Sequence, residues 1–301
     1  MEYKAPVETY SGKVTEVVLG KGDKAIKIGG ENVLPFHFFE GAIQNRPKLA
    51  LEVWDIDPVA WAEWVREPFK GVLGDSVAWA KKALDYGADL ICLRLMSTDP
   101  AGANAPAEQA AATVKKVVDA IRTPVVVYGS GDEAKDVAVL TRVAEICSGE
   151  KLLLGPVVKE NFEPISKAAL DHGHSIIAQT PLDINLEKEL NVKLLKSFPP
   201  DRIVIDPLSS ALGYGMEYSF TIMERTKHIG VIFGDATMQM PIISDLGNEI
   251  WKTKQAKASK EQGILWESVA AISLLLAGAN LMVLRHPDTL KYMKEVIDGK
   301  M

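Results

Sequence analysis

The residues best placed to do chemistry lie in one stretch, Asp206-Pro207-Leu208-Ser209-Ser210-Ala211-Leu212-Gly213-Tyr214-Gly215-Met216. An apolar, β-branched run, Ile203-Val204-Ile205, precedes it and is bounded by Arg202, the pattern of a fully buried strand. Pro207 ends that strand, because proline donates no ladder hydrogen bond and restricts the residue before it. A carboxylate at the end of a buried strand, opening into a loop of small and hydroxyl side chains, is how a parallel α/β barrel presents groups at its C-terminal face. Aspartate before proline is also a common turn former, and the residues alone leave both roles of Asp206 open.

Two further stretches share this character. Gln179-Thr180-Pro181-Leu182-Asp183-Ile184-Asn185 crowds polar groups after the apolar run Ser175 to Ala178, and Asp183 or Asn185 is placed to cap the following helix. Gly234-Asp235-Ala236-Thr237-Met238-Gln239-Met240-Pro241 follows Val231-Ile232-Phe233 and combines small residues with thioethers, which suit a large apolar ligand or a protein surface. The five histidines form no metal-ligand pattern. His172 and His174 fit a helix C-terminus, and His286 is expected to donate a hydrogen bond into the mouth. Lys159 is the one lysine to weigh as a Schiff-base former, and Glu160 beside it favours a solvated loop lysine instead. No GxGxxG follows a strand and no GxxxxGK[ST] is present. The loops GDATMQMP and RHPDT lack the glycine-rich backbone of a barrel phosphate site.

The elements that must position these groups alternate regularly. Strands are expected at 49–54, 90–95, 125–128, 152–154, 175–178, 203–205, 231–233 and 280–284. Helices are expected at 75–86, 106–121, 132–147, 161–172, 185–198, 217–228 and 288–297, with a long, interrupted helical region over 241–277. Eight strand–helix units with apolar strands predict a closed (β/α)8 TIM barrel over residues 48–301. Residues 1–47 read as an N-terminal β-hairpin extension, turning at Gly22-Asp23 and covering the barrel floor, followed by a connector.

Composition narrows the classes. A 301-residue chain that is 47% hydrophobic is ordinary for a globular protein, and a formal charge of −6 without a basic block argues against a nucleic-acid surface. The opening MEYKAPVETYSGK has no apolar core, and the apolar stretch 269–277 is too short to span a bilayer, so no membrane association and a cytoplasmic location are expected. Two cysteines without CxxC spacing exclude a four-cysteine iron–sulfur cluster built from this chain alone.

The segments TPLDINLEKELN, VIDPLSSALGYGMEYS and GDATMQMPIISDLGNEIWKTKQA, with the hairpin VTEVVLGKGDKAIKIGGENVLPFHFFEG, resemble the small subunit of the corrinoid iron–sulfur protein and the related delta subunit of archaeal acetyl-CoA decarbonylase/synthase. The resemblance covers essentially the whole chain. It implies a (β/α)8 barrel paired with a large subunit that carries a [4Fe–4S] cluster and a corrinoid domain, the cobamide lying between the two. It further implies methyl transfer from methyltetrahydrofolate, or a methanopterin analogue, through a methyltransferase to acetyl-CoA synthase/CO dehydrogenase in the reductive acetyl-CoA pathway, with a reductive activator as a further partner. The DxHxxG pattern that ligates cobalt in many corrinoid modules is absent, since Asp171-His172-Gly173-His174 has another spacing. On this basis no catalytic or metal-ligating residue is expected in this chain. The cobamide wall is expected on Ser209, Ser210, Leu212, Gly213, Tyr214, Gly215 and Met216, together with Gly234, Asp235, Ala236, Thr237 and Met238. Glycines and Ala236 would allow close approach, and hydroxyls with backbone N–H groups would meet the corrin amides. Tyr214, Met216, Met238 and Met240 are expected at loop tips facing the partner. The alternative is a pterin-binding methyltransferase barrel acting alone, with Asp99, Asp206 and Asp235 holding the ring.

Overall fold

The computed structural model describes Tyr3 and residues 6–300, with Lys300 described by its backbone alone. The chain opens with an antiparallel hairpin, β1 (Val17–Leu19) and β2 (Ile26–Ile28), in which Val17 faces Ile28 and Leu19 faces Ile26. Its connection is a 3-10 turn over Gly22–Lys24, longer than the two-residue turn expected. Strand and helix then alternate: β3 (Lys48–Trp54), α1 (Glu63–Arg66) and α2 (Ser76–Asp85); β4 (Leu90–Arg94) and α3 (Ala107–Ile121); β5 (Val125–Tyr128) and α4 (Glu133–Ile146). They continue as β6 (Leu153–Val157) and α5 (Phe162–His172), β7 (Ser175–Gln179) and α6 (Ile184–Leu194), β8 (Ile203–Asp206) and α7 (Met216–Lys227). The last two units are β9 (Ile243–Ser244) with α8 (Leu246–Ile250) and α9 (Lys260–Ala277), and β10 (Leu281–Leu284) with α10 (Pro287–Lys300).

Strands β3 to β10 are parallel, in the order β8-β7-β6-β5-β4-β3-β10-β9, and the two ends meet through one bridge between Ile205 and Ile242. Ile205 N donates to the Pro241 carbonyl across that seam at 2.8 Å. The result is a (β/α)8 TIM barrel. Because strand side chains alternate, Ala50, Leu90, Cys92, Val126, Leu153, Ile177, Val204, Ile243, Leu281 and Val283 fill its interior, and Val17, Leu19 and Ile28 of the hairpin stop its floor. The intervening residues pack outward against the helices, as Leu51, Leu93 and Leu154 do with Trp79, Val114 and Leu140. Asp75, Asp132, Asp183 and Ser259 cap α2, α4, α6 and α9 by accepting from first-turn N–H groups. Among the described residues no helix is long and apolar enough to cross a membrane.

The seventh strand is not where the β-branched run 231–233 placed it. Residues His228–Ile232 continue α7 as a wide, π-type turn, and the strand slot is taken by β9. Helix α7 runs on past the barrel floor, and the N-terminal segment then competes for its end: Gly12 N donates to the Val231 carbonyl at 3.1 Å. Gly230 permits the chain to fold back, since a Cβ there would lie 2.5 Å from the Met238 carbonyl oxygen. Tertiary packing overrides the local strand preference.

The N-terminal extension is pinned to the barrel by a buried ion pair. Lys227 Nζ lies 2.7 Å from Glu31 Oε1 and 2.7 Å from Asn280 Oδ1, and Asn280 Nδ2 donates to Glu31 at 2.8 Å. Replacing Lys227 with methionine strands the Glu31 carboxylate in a buried site. The expected cost is about 3–5 kcal/mol, read as a shifted urea midpoint and largely restored by adding Glu31→Gln. A loss under about 1 kcal/mol would mean that the pair holds nothing.

Candidate functional site

Advancing two residues from each interior position gives the next inward side chain toward the C-terminal face. The eight strands thereby contribute Glu52, Arg94, Tyr128, Gly155, Gln179, Asp206, Asp245 and Arg285, so a wholly apolar barrel interior ends in an almost wholly polar layer.

Glu52 is its centre. One carboxylate oxygen accepts from Arg94 Nε at 2.9 Å and from Trp54 Nε1 at 2.7 Å, and the other accepts from Arg285 Nε at 2.7 Å. Burial by itself would raise its pKa, but the charges of Arg285 and Arg94 bring it down to about 2. Arg94 also pairs with Asp245 and stacks over the Tyr128 ring at 4.8 Å, while Arg285 stacks over Trp61 at 4.0 Å. Two acids thus meet two guanidinium groups. Asp206 is a third acid with no guanidinium on it. It accepts from Gln179 Nε2 at 2.8 Å, Tyr128 OH at 3.1 Å and Leu208 N at 3.0 Å. Both roles left open for it are therefore filled, turn former and member of the mouth. Burial, reinforced by the charge of Asp245, pushes its pKa up to about 6.

Other mouth groups are already occupied. Asp136 accepts from Ser130 N at 2.8 Å and Gly131 N at 3.0 Å, so it fills with its own carboxylate the backbone cradle an anion would use. Lys159 pairs with Glu189 of α6 at 3.3 Å and is exposed. His286 does not enter the mouth: it is buried beside Trp251, and its Nδ1 accepts from Asp288 N at 3.1 Å. Among the described residues no cluster of three His, Cys, Asp or Glu side chains is arranged to hold a metal ion.

The expected wall residues separate into two places. Ser209 to Met216 lie on the loop from β8 to α7, above the mouth. Ser209 Oγ meets Ser244 Oγ at 2.7 Å, Ser210 N donates to Ser219 Oγ at 2.8 Å, and Trp266 Nε1 donates to the Leu212 carbonyl at 3.2 Å. Gly213, Tyr214 and Gly215 form its open tip, Tyr214 being 60% exposed, with Tyr218 of α7 beside it at 64%. Gly234, Asp235, Ala236, Thr237 and Met238 lie instead between α7 and β9, on the helix-to-strand side, at the opposite end of the barrel. Lys188 pairs with Asp235 at 2.6 Å and Asn191 Nδ2 donates to the Thr237 carbonyl at 3.0 Å, which fastens this segment along α6. The two loops cannot flank one ligand, and the error follows from the misplaced seventh strand. It also removes Asp235 from the set of three aspartates that a pterin site would need. The methionines do not stand at loop tips: Met216, Met238 and Met240 are 7%, 1% and 0% exposed and pack inward.

Sequence reasoning missed Glu52, Arg94 and Asp245. The first two carried a usable signal, a lone charge inside an otherwise apolar strand at inward parity. Asp245 followed a strand too short to show alternation.

The raised pKa of Asp206 makes a signed statement. Between its ordinary 3.8 and about 6 the folded chain binds the proton more tightly than the unfolded chain does. Stability therefore falls as pH rises through that window and is lowest above it. Asp206→Asn carries no such titration, so its stability relative to the parent should improve by up to about 3 kcal/mol between pH 4 and 7, whatever its offset at pH 4. Parallel stability curves would place the carboxylate in a solvent-like environment.

A family model described as CO dehydrogenase/acetyl-CoA synthase delta subunit matches residues 16–297. An acetyl-CoA decarbonylase/synthase complex subunit delta from Archaeoglobus fulgidus is 36% identical, over 97% of this chain and 69% of its own length. The subunit of that name from Methanothermobacter thermautotrophicus is 33% identical, over 98% and 78%. The chain spans 66–78% of the length of the relatives it matches. Among solved structures, dihydropteroate synthases share the barrel alone. The Xanthomonas albilineans enzyme with 4-aminobenzoic acid superimposes with a TM-score of 0.63 at 14% identity, over 95% of this chain and 98% of that one. The matched span and the identity of its relatives make this chain a member of the CO dehydrogenase/acetyl-CoA synthase delta-subunit family.

Proposed function

We propose that this chain is the barrel subunit of a corrinoid iron–sulfur methyl carrier, walling a cobamide that a large subunit holds from the other side. The observation that carries this reading is the mouth itself. Glu52, Arg94, Asp245 and Arg285 pair with one another, Asp206 is held by neutral donors, and above them stands a loop whose exposed surface is aromatic and glycine. That arrangement suits a surface against which a broad, flat ligand rests. Among the described residues of the mouth no side chain stands as an activated nucleophile or an accessible base, and in this reading the chain orients and shields. Family membership supports the setting, since the relatives are named as subunits of the acetyl-CoA decarbonylase/synthase complex.

The residues fit a corrinoid and not an iron–sulfur cluster. When bound, the corrinoid supplies a cobalt centre that takes up and gives away a methyl group. Tyr214 and Tyr218 offer ring faces to its apolar plane, and a Cβ built at Gly213 meets nothing within 4 Å, so that backbone is open to close approach. The two cysteines lie apart, Cys92 in the barrel interior and Cys147 in the layer between strands and helices, and both thiols are raised by burial. The [4Fe–4S] cluster therefore belongs to the large subunit. A methyltransferase, acetyl-CoA synthase/CO dehydrogenase and a reductive activator complete the expected partners, in the cytoplasm. Exposed apolar side chains on α9 and α10, among them Leu265, Leu276 and Tyr292, also suit a chain that works in an assembly.

The test is the double variant Tyr214→Ala/Tyr218→Ala, purified with its large subunit. Both side chains are exposed, so the barrel should melt unchanged. Corrinoid affinity should fall at least about tenfold, read as cobalt per complex after dialysis. Full cobalt retention would put the cofactor elsewhere.

A further inference from the structure

Beside the mouth, between the loop that follows β3 and the segment that joins α8 to α9, lies a cavity of about 200 Å³. Trp54, Trp61 and Trp251 give it apolar walls, and Asn248, Lys257 and Arg285 supply polar groups. The Arg285 guanidinium is fixed in place there. Its Nε donates to Glu52 at 2.7 Å, its face stacks on Trp61 at 4.0 Å, and its Nη2 lies 3.5 Å from Asn248 Oδ1. Nη1 is left over: among the described residues it makes no hydrogen bond, and it keeps accessible surface. Because Asn248 turns its Oδ1 toward Arg285, its Nδ2 is left over in the same way. The two side chains are immediate neighbours, so their spare donors serve one cavity.

The remaining charges narrow the ligand class. Lys252, also in the lining, is taken by Glu249 at 2.7 Å. Lys257 is exposed, and among the described residues it pairs with no carboxylate. No Asp or Glu lines the cavity. Spare donors with an uncompensated cation and no spare side-chain acceptor suit a group that only accepts and carries negative charge. An arginine edge beside an amide N–H matches the two oxygens of a carboxylate. A phosphate cradle would use clustered backbone N–H groups, and no glycine lines this cavity to expose them. The tryptophans leave room for an apolar body. A dry cavity of about 150 Å³ takes up benzene, so this one admits a short acid and is too small for a drug-sized ligand.

We propose that this cavity binds a small carboxylic acid with an apolar tail. The site is separate from the proposed cobamide wall, since no residue of the loop 208–216 lines it.

Isovalerate, its amide isovaleramide, acetate and inorganic phosphate are the probes, added to the full chain and followed by two-dimensional NMR. Isovalerate should shift the indole N–H signals of Trp61 and Trp251 saturably. Isovaleramide, equal in shape and uncharged, should bind about tenfold more weakly. Acetate should bind at least about tenfold more weakly, because it leaves the apolar walls unfilled. Asn248→Asp keeps the shape of the side chain and offers the Arg285 edge a carboxylate of its own. It should weaken isovalerate at least about tenfold and leave isovaleramide binding in place. Lys257→Met should melt as the parent does and weaken isovalerate about threefold at low salt, a difference that high salt removes. Equal affinity for isovalerate and isovaleramide, or full isovalerate affinity in Asn248→Asp, overturns the site. Phosphate binding as tightly as isovalerate overturns the choice of a carboxylate, and acetate binding as tightly overturns the apolar tail.

Discussion

Glu52 holds two guanidinium groups at once, and the barrel mouth depends on it. A carboxylate at the top of a barrel interior has no water to replace its hydration, so it is tolerable only when fully paired. Arg285 and Arg94 supply that pairing from the neighbouring strands on either side. Arg94 then carries the connection across the barrel to Asp245, immediately after β9. This matters because β9 has two residues and its seam with β8 is a single bridge. Backbone pairing there is minimal. The side-chain ties from Arg94 to Asp245 and from Ser209 to Ser244 make up part of what the ladder lacks. Removing Glu52 would leave Arg285 buried without a carboxylate and Arg94 with Asp245 alone, beside the strand that is least supported.

The same network decides what the face above it can do. Because Glu52, Arg94, Asp245 and Arg285 are tied to one another, most of the mouth's charge is already paired. What stays exposed is the pair of tyrosines on the loop above, while Asp245 Oδ1 below is buried and without a partner among the described residues. Asp206 links these levels. Its carboxylate fixes Leu208 N, which starts the loop, and holds Gln179 at the end of the neighbouring strand. A surface held this firmly from beneath suits a task of presenting shape to a bound cofactor.

Much of the fold was legible because most strands are apolar runs closed by turn residues, and because the caps at Asp75, Asp132 and Asp183 carry their own chemistry. The failure at 231–233 is instructive. Val231-Ile232-Phe233 has the composition of a strand, yet Gly12 and Gly230 make a close backbone crossing there that no local pattern encodes. That one slip carried Gly234 to Met238 from the floor to the mouth and split the expected site in two. Ser209 to Met216 were placed correctly, since the strand before them was. Glu52 and Arg94 stood in plain view in LALEVW and LICLRL, but reading those runs as uniformly apolar hid the parity that turns both charges inward.

The central claim is that the working face is the C-terminal mouth, with the loop 208–218 against the cofactor, and that the segment 234–238 at the other end plays no part in it. Hydrogen exchange on the chain in its complex, with and without bound corrinoid, tests this most directly. The account predicts that corrinoid slows exchange in residues 208–218 and leaves 230–240 unchanged. Protection confined to 230–240, with the mouth loops indifferent to the cofactor, would contradict it.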